Sequence, residues 1–182
     1  MLGDFICIFR VNSGKKILNV AIQKLVLDTL DDDDYELIAI HSSIASYRLA
    51  FLLNKNLNLN LFRKKKDINF EYDDITASFP LYQYHDHFQY NTYSLLGNKF
   101  GTKTVPEKPV SEGLFVNTED SYTVKHLIPE LKKVDYFLKI ETEASNFSSK
   151  TLLTQMLSIS QIITAYSVEY AVLKSKNNLI FE

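Results

Sequence analysis

In the stretch HLIPELKKVDY, His126 to Tyr136, one histidine and two carboxylates, Glu130 and Asp135, are the residue types that general acid–base chemistry needs. No nucleophile lies beside them in the sequence, and each has a plainer role. Glu130 suits the positive end of a helical turn, Asp135 the edge of a strand, and His126 a hydrogen-bonded position ahead of that strand. His85 and His87 are two apart, so on a continuous strand both rings would face one side, as metal ligands can. Asp86 would then point away, cysteine ligands are absent from this stretch, and a hairpin tip is the simpler place for all three. No metal site is therefore expected. His41 beside Ser42 and Ser43 invites a hydrolase reading, but the Gly-x-Ser-x-Gly elbow is missing and the spacing suits a strand running into a helix cap.

The remaining chemistry-bearing pattern is cationic and aromatic. Arg63, Lys64, Lys65 and Lys66 precede Tyr82, Tyr84, Phe88, Tyr90 and Tyr93, a combination able to hold and stack single-stranded RNA. Lysines blunting an edge strand beside an aromatic sheet core explain the same residues without a ligand. The five glycines never cluster into a phosphate loop or a dinucleotide fingerprint, so no cofactor is expected.

Composition frames these candidates. A chain of 182 residues with 46% hydrophobic content can build one domain with a substantial core. The net charge of −2 provides no global field toward nucleic acid or anionic lipid. The lone cysteine, Cys7, excludes an internal disulfide and fits a reducing cytoplasm, and no apolar run is long enough to suggest a membrane partner.

The elements that must position the candidates follow from periodicity. The opening stretch spaces Ile128, Leu131 and Val134 three apart and then Val134, Tyr136, Leu138 and Ile140 two apart, so a helical turn hands over to a strand. Pro129 suits the first position of that turn. Upstream, Ile22 to Asp28 and Tyr35 to Ser43 read as strands separated by the acidic run Asp31 to Asp34, and Ser43 reads as the cap of a helix through Asn54. Leu57 to Leu61 alternate as a strand that continues through Arg63 to Lys66. Ser78 to His85 and Phe88 to Lys99 form a hairpin, and Gly97, Gly101, Pro106 and Pro109 mark an exposed loop before a short strand, GLFVNT. From about Ser149 to Lys176 the positions Leu152, Met156, Ile159, Ile163, Tyr166, Tyr170 and Leu173 alternate steps of four and three, which predicts one long helix, with Leu179 to Phe181 returning as a brief strand.

Ile128-Pro129-Glu130 followed after three residues by Val134-Asp135-Tyr136 resembles the signature of the bacterial IPExxxVDY family. The segments from Tyr35 and from Leu173 are also similar to it, so the resemblance covers about residues 21–182. It implies a soluble bacterial protein and carries no catalytic residues with it. One departure is Ala45-Ser46, where an acidic capping-box residue would be expected. Residues 1–19 fall outside the resemblance, and Val20, followed by Ala-Ile-Gln-Lys, reads as an alternative start.

The expected architecture is a single α+β domain over 20–182: a largely antiparallel, aromatic-rich sheet, a short helix, and a long C-terminal helix packed on one face. The expected function is a non-catalytic protein-interaction or regulatory module, as a monomer or weak homodimer. RNA binding through Arg63 to Lys66 and the hairpin aromatics is the alternative, and an enzyme with a site assembled from distant segments is the third reading.

Overall fold

Three buried apolar runs make the centre of the protein: ELIAI, YSLL and YFLKI, none of which alternates with polar residues. Such runs require cover on both faces of a sheet, and the fold supplies it. A computed structural model describes residues 35–72, 75–104, 121–142 and 147–181, all within the unit Asp33–Glu182. The expected strand at Ile22 to Asp28, the acidic run, the strand GLFVNT, Pro106, Pro109 and the alternative start at Val20 lie outside the described residues.

The elements run β1 (Tyr35–His41), α1 (Ser46–Leu57), β2 (Phe62–Arg63), β3 (Ile68–Tyr72), β4 (Ile75–Phe79), β5 (Leu81–Asp86), β6 (Asn91–Gly97), β7 (Lys99–Thr104), β8 (Ser121–His126), a 3₁₀ turn at Pro129–Leu131, β9 (Tyr136–Thr142), α2 (Ser149–Leu157) and β10 (Thr164–Val168). Two further 3₁₀ turns, Tyr170–Val172 and Lys176–Leu179, follow. Six strands form one sheet in the order β10-β1-β9-β6-β5-β2, with every neighbouring pair antiparallel. The pairs β3-β4 and β7-β8 form separate two-stranded ribbons. The α+β class and the antiparallel sheet agree with the sequence expectation.

Register sorts the side chains into two layers. Ile38, Leu95, Leu138 and Ile140 face α1 and α2, where Leu49, Leu53, Leu152 and Met156 meet them. Leu37, Ala39, Leu96 and Phe137 face the opposite way, onto Phe79 of β4, Leu127, Ile128 and Val134 of the signature stretch, and Leu173 and Leu179 of the C-terminal segment. The signature loop from Ile128 to Val134 therefore belongs to one cover of the sheet and the helices to the other, with Tyr136 packing on the helix side.

The long C-terminal helix does not exist. Helix α2 ends at Leu157, where the Ser158 amide and hydroxyl both donate to the Gln155 carbonyl. The Ile159 amide then reaches Met156 and the Ile162 amide Ile159, so helical hydrogen bonding tightens into turns. The Ile163 amide donates to His41, and β10 pairs with β1 from Leu37↔Val168 to His41↔Thr164. The predicted seam is real as far as Ile159, which is 3% exposed, whereas Ile163 is 74% exposed. The physical reason lies in composition: Ile162, Ile163, Thr164, Tyr166 and Val168 favour a pleated strand, and edge pairing with β1 outweighs the seam.

Smaller corrections share this origin. Ser43 is not the helix cap; Ala45 occupies that position without a side-chain cap bond. Leu57 ends α1 instead of starting a strand, because Asn58 takes the left-handed conformation at φ 53°. Asn54 then clamps Leu61 in both directions, leaving only Phe62–Arg63 to pair with β5. Gly97 and Gly101 lie in β6 and β7 instead of a loop, and Leu179 closes a 3₁₀ turn instead of opening a strand. Pro80 divides Ser78 to His85 between β4 and β5, while β5 and β6 form the expected hairpin.

Candidate functional site

The signature stretch is organised by a residue that sequence reasoning passed over. Asn98, fully buried, joins β6 to β7. Its Nδ2 donates to the carbonyls of Leu131 (2.8 Å) and Val134 (2.9 Å), and its Oδ1 accepts the Ile128 amide at 2.9 Å. Its own amide donates to Asp135 O and its carbonyl accepts from Leu127 N, each at 2.9 Å. A planar amide has both donor and acceptor faces, so one side chain closes the loop from Ile128 to Val134 on itself. Ile128 and Val134 bury against Leu127 and Phe137, and Pro129 opens the 3₁₀ turn with Glu130 in its first turn.

Asp135 joins this loop to the start of α1. Its Oδ2 accepts the Ser42 amide at 3.0 Å and its Oδ1 the Lys99 ammonium at 2.5 Å, while its amide donates to Ile40 O. The Tyr136 hydroxyl donates to Ile44 O, and burial raises its pKa, with the Asp135 charge adding to the effect. Ser42 Oγ donates to Gln161 O at 2.7 Å, tying the same corner to the turn before β10.

Glu130 works on the other side. It accepts the Ser175 amide at 2.9 Å and the Ser175 hydroxyl, and the hydroxyl bond holds its pKa below the ordinary glutamate value. Nearby, Asn178 Nδ2 donates to Leu127 O at 2.7 Å, so the C-terminal segment docks onto the signature through two side chains. Lys139, only 4% exposed, completes the docking: its ammonium donates to Leu179 O, pairs with Glu141, and lies against the rings of Tyr35 and Phe181. His126 does not join the carboxylates. Burial lowers its pKa, Lys99 and Lys132 lower it further, and its carbonyl accepts the Tyr72 hydroxyl.

Between the Ser42–Ser46 loop and the Lys99–Asp135 pair lies a cleft of about 310 Å3, lined also by Ile44, Pro80, Gly97 and Tyr136. A larger open hollow of about 550 Å3 lies at the β1–β10 end, lined by Tyr35, Glu36, Glu169 and Tyr170 among others.

No family model, curated protein or solved structure matches the chain.

The remaining sequence candidates are dispersed. Arg63 forms a two-pronged ion pair with Asp67 at 2.7 Å, which raises its pKa, while Lys64, Lys65 and Lys66 stay exposed. Tyr82 is buried against α1 and Tyr84 stacks on the buried Tyr93, so these rings belong to the core. Phe88 and Tyr90 are exposed at the hairpin tip, but Arg63 pairs with Tyr82 at the opposite end of β5. Register thus separates the cations from the exposed aromatics of the hairpin tip, Phe88 and Tyr90. His85 and His87 do approach each other, ring centroids 4.5 Å apart, but Asp86 Oδ1 is engaged by the amides of Phe88 and Gln89. Among the described residues no three metal-ligating side chains converge, and no helix is long and apolar enough to cross a membrane.

Proposed function

We propose that the protein is a non-catalytic protein-interaction module of the IPExxxVDY type, with the outer face of α1 as its docking surface. The observation that carries this is the pair Tyr47 and Phe51, one helical turn apart and each 65% exposed, on a helix whose Leu49, Ala50 and Leu53 are buried. Aromatic side chains presented together on a rigid element are favourable anchors for a protein interface, because they bring large apolar area at low entropic cost. The signature carboxylates, by contrast, are engaged by Ser175, Lys99 and the Ser42 amide.

Affinity capture from the native cell, with and without nuclease, tests this reading. A nuclease-resistant partner held by the wild type and lost from Tyr47→Ser/Phe51→Ser supports it; retention by the variant, or loss on nuclease treatment, counts against it. One observation favours the RNA alternative in altered form: Phe62 is exposed beside Lys64, whose ammonium lies 5.8 Å from its ring centroid. An RNA contact would then use Phe62 and Lys64 to Lys66 instead of Tyr82 and Tyr84. It would weaken with salt and with neutralisation of those lysines.

A further inference from the structure

We propose that the cleft beside the Lys99–Asp135 pair binds a small zwitterion of the α-amino-acid type, independently of the docking face on α1. Its volume of about 310 Å3 lies at the small end of ligand pockets. Its walls combine an apolar side, Ile44, Pro80 and the Tyr136 ring, with Ser43, Ser46, Lys99 and Asp135.

The charge arrangement selects the ligand class. Lys99 places one of its three ammonium hydrogens on Asp135 Oδ1, and Asp135 Oδ2 accepts the Ser42 amide. Each carboxylate oxygen can accept a second bond, and the ammonium can donate two more. A ligand carboxylate on Lys99 and a ligand ammonium on Asp135 satisfy both at once. A bare anion or cation is attracted by one member of this neutral pair and repelled by the other, whereas a zwitterion is attracted by both.

The site is also formed in advance. Asp135 is fixed by the Ile40 carbonyl and the Ser42 amide, the loop leading into it by Asn98, and Tyr136 by Ile44. Little ordering remains to oppose binding. Gly97 keeps the cleft open: a Cβ there would stand 3.7 Å from Pro80 Cδ, an ordinary contact, so a methyl group fits while a longer side chain takes up ligand space.

The test is a titration of isotope-labelled protein with the common α-amino acids, read by amide chemical shifts. For whichever amino acid binds, the corresponding amine without its carboxylate and acid without its ammonium serve as controls. The expected result is a saturable shift at Ser43, Ser46, Gly97 and Asp135, with each single-charge analogue and the Lys99→Met variant weaker by about tenfold or more. Gly97→Leu provides a second variant expected to abolish the shifts, and the wild-type analogue series decides the matter even where a variant folds poorly. Absence of a saturable shift with any amino acid, equal binding of a single-charge analogue, or undiminished binding by folded Lys99→Met overturns the proposal.

Discussion

Replacing Asn98 by alanine removes three hydrogen bonds from a fully buried position and leaves the Ile128 amide and the Leu131 and Val134 carbonyls without that partner. The Ile128 amide and the Val134 carbonyl cost about 1 to 3 kcal/mol each, the Leu131 carbonyl keeps the Val134 amide, and water entering the vacated space recovers part of the loss, so the total is about 2 to 5 kcal/mol. That is a large share of the roughly 5 to 15 kcal/mol that stabilises a typical domain. Aspartate sharpens the test. One of its oxygens still accepts the Ile128 amide, but the other faces two carbonyls, which disfavours the ionised form and raises the folded-state pKa of the new group. Stability of Asn98→Asp should therefore recover as pH falls through that raised pKa, when the carboxylic acid can donate to one carbonyl, while Asn98→Ala should show no such recovery. Urea unfolding followed by circular dichroism at several pH values measures both. A loss under about 1 kcal/mol for alanine, or parallel pH profiles for the two variants, would show that Asn98 does not hold the loop in this way.

Three further outcomes follow from the same contacts. Ile159→Asp should cost more than about 3 kcal/mol because it buries an unpaired charge, whereas Ile163→Asp should change stability by less than about 0.5 kcal/mol because that side chain faces solvent; equal effects would restore the continuous helix. Lys139→Met keeps the stem but leaves Leu179 O unpaired, so stability should fall by about 1 to 3 kcal/mol and hydrogen exchange should quicken across 175–181; unchanged exchange would contradict that docking. Glu130, whose pKa is lowered chiefly by the Ser175 hydroxyl, contributes stability that is present above the ordinary glutamate pKa and lost as pH falls through the lowered value. Protection factors at 175–181, which correct for the slower intrinsic exchange at lower pH, should therefore fall on acidification in the wild type and be already low at neutral pH in Glu130→Gln, with a small global effect because the group is exposed.

Local period carried much of the fold. The turn-to-strand change after Val134, the β5–β6 hairpin and most of α1 could be read from spacing, because each is decided by neighbours within a few residues. The C-terminal error arose where that logic breaks down. Leu152, Met156 and Ile159 obey helical spacing and are buried as it predicts, but the next positions are claimed by β1, more than one hundred residues earlier in the chain. The β-branched content of Ile162 to Val168 was the available signal. Asn98 was invisible for a related reason: its three side-chain partners lie 30 to 36 residues away, and an asparagine after Gly97 reads locally as a turn. For the basic run, adjacency in sequence concealed that Arg63 spends its charge on Asp67 and that Tyr82 turns into the core.

The most direct test of the interaction reading is photo-crosslinking in living cells with a benzophenone side chain placed at position 51 or at position 62. Both Phe51 and Phe62 are exposed, so either probe can be introduced without filling the core. A docking face on α1 should give a discrete protein adduct from position 51, absent when Tyr47 is also changed to serine. Adducts to RNA from position 62, with none to protein from position 51, would contradict it.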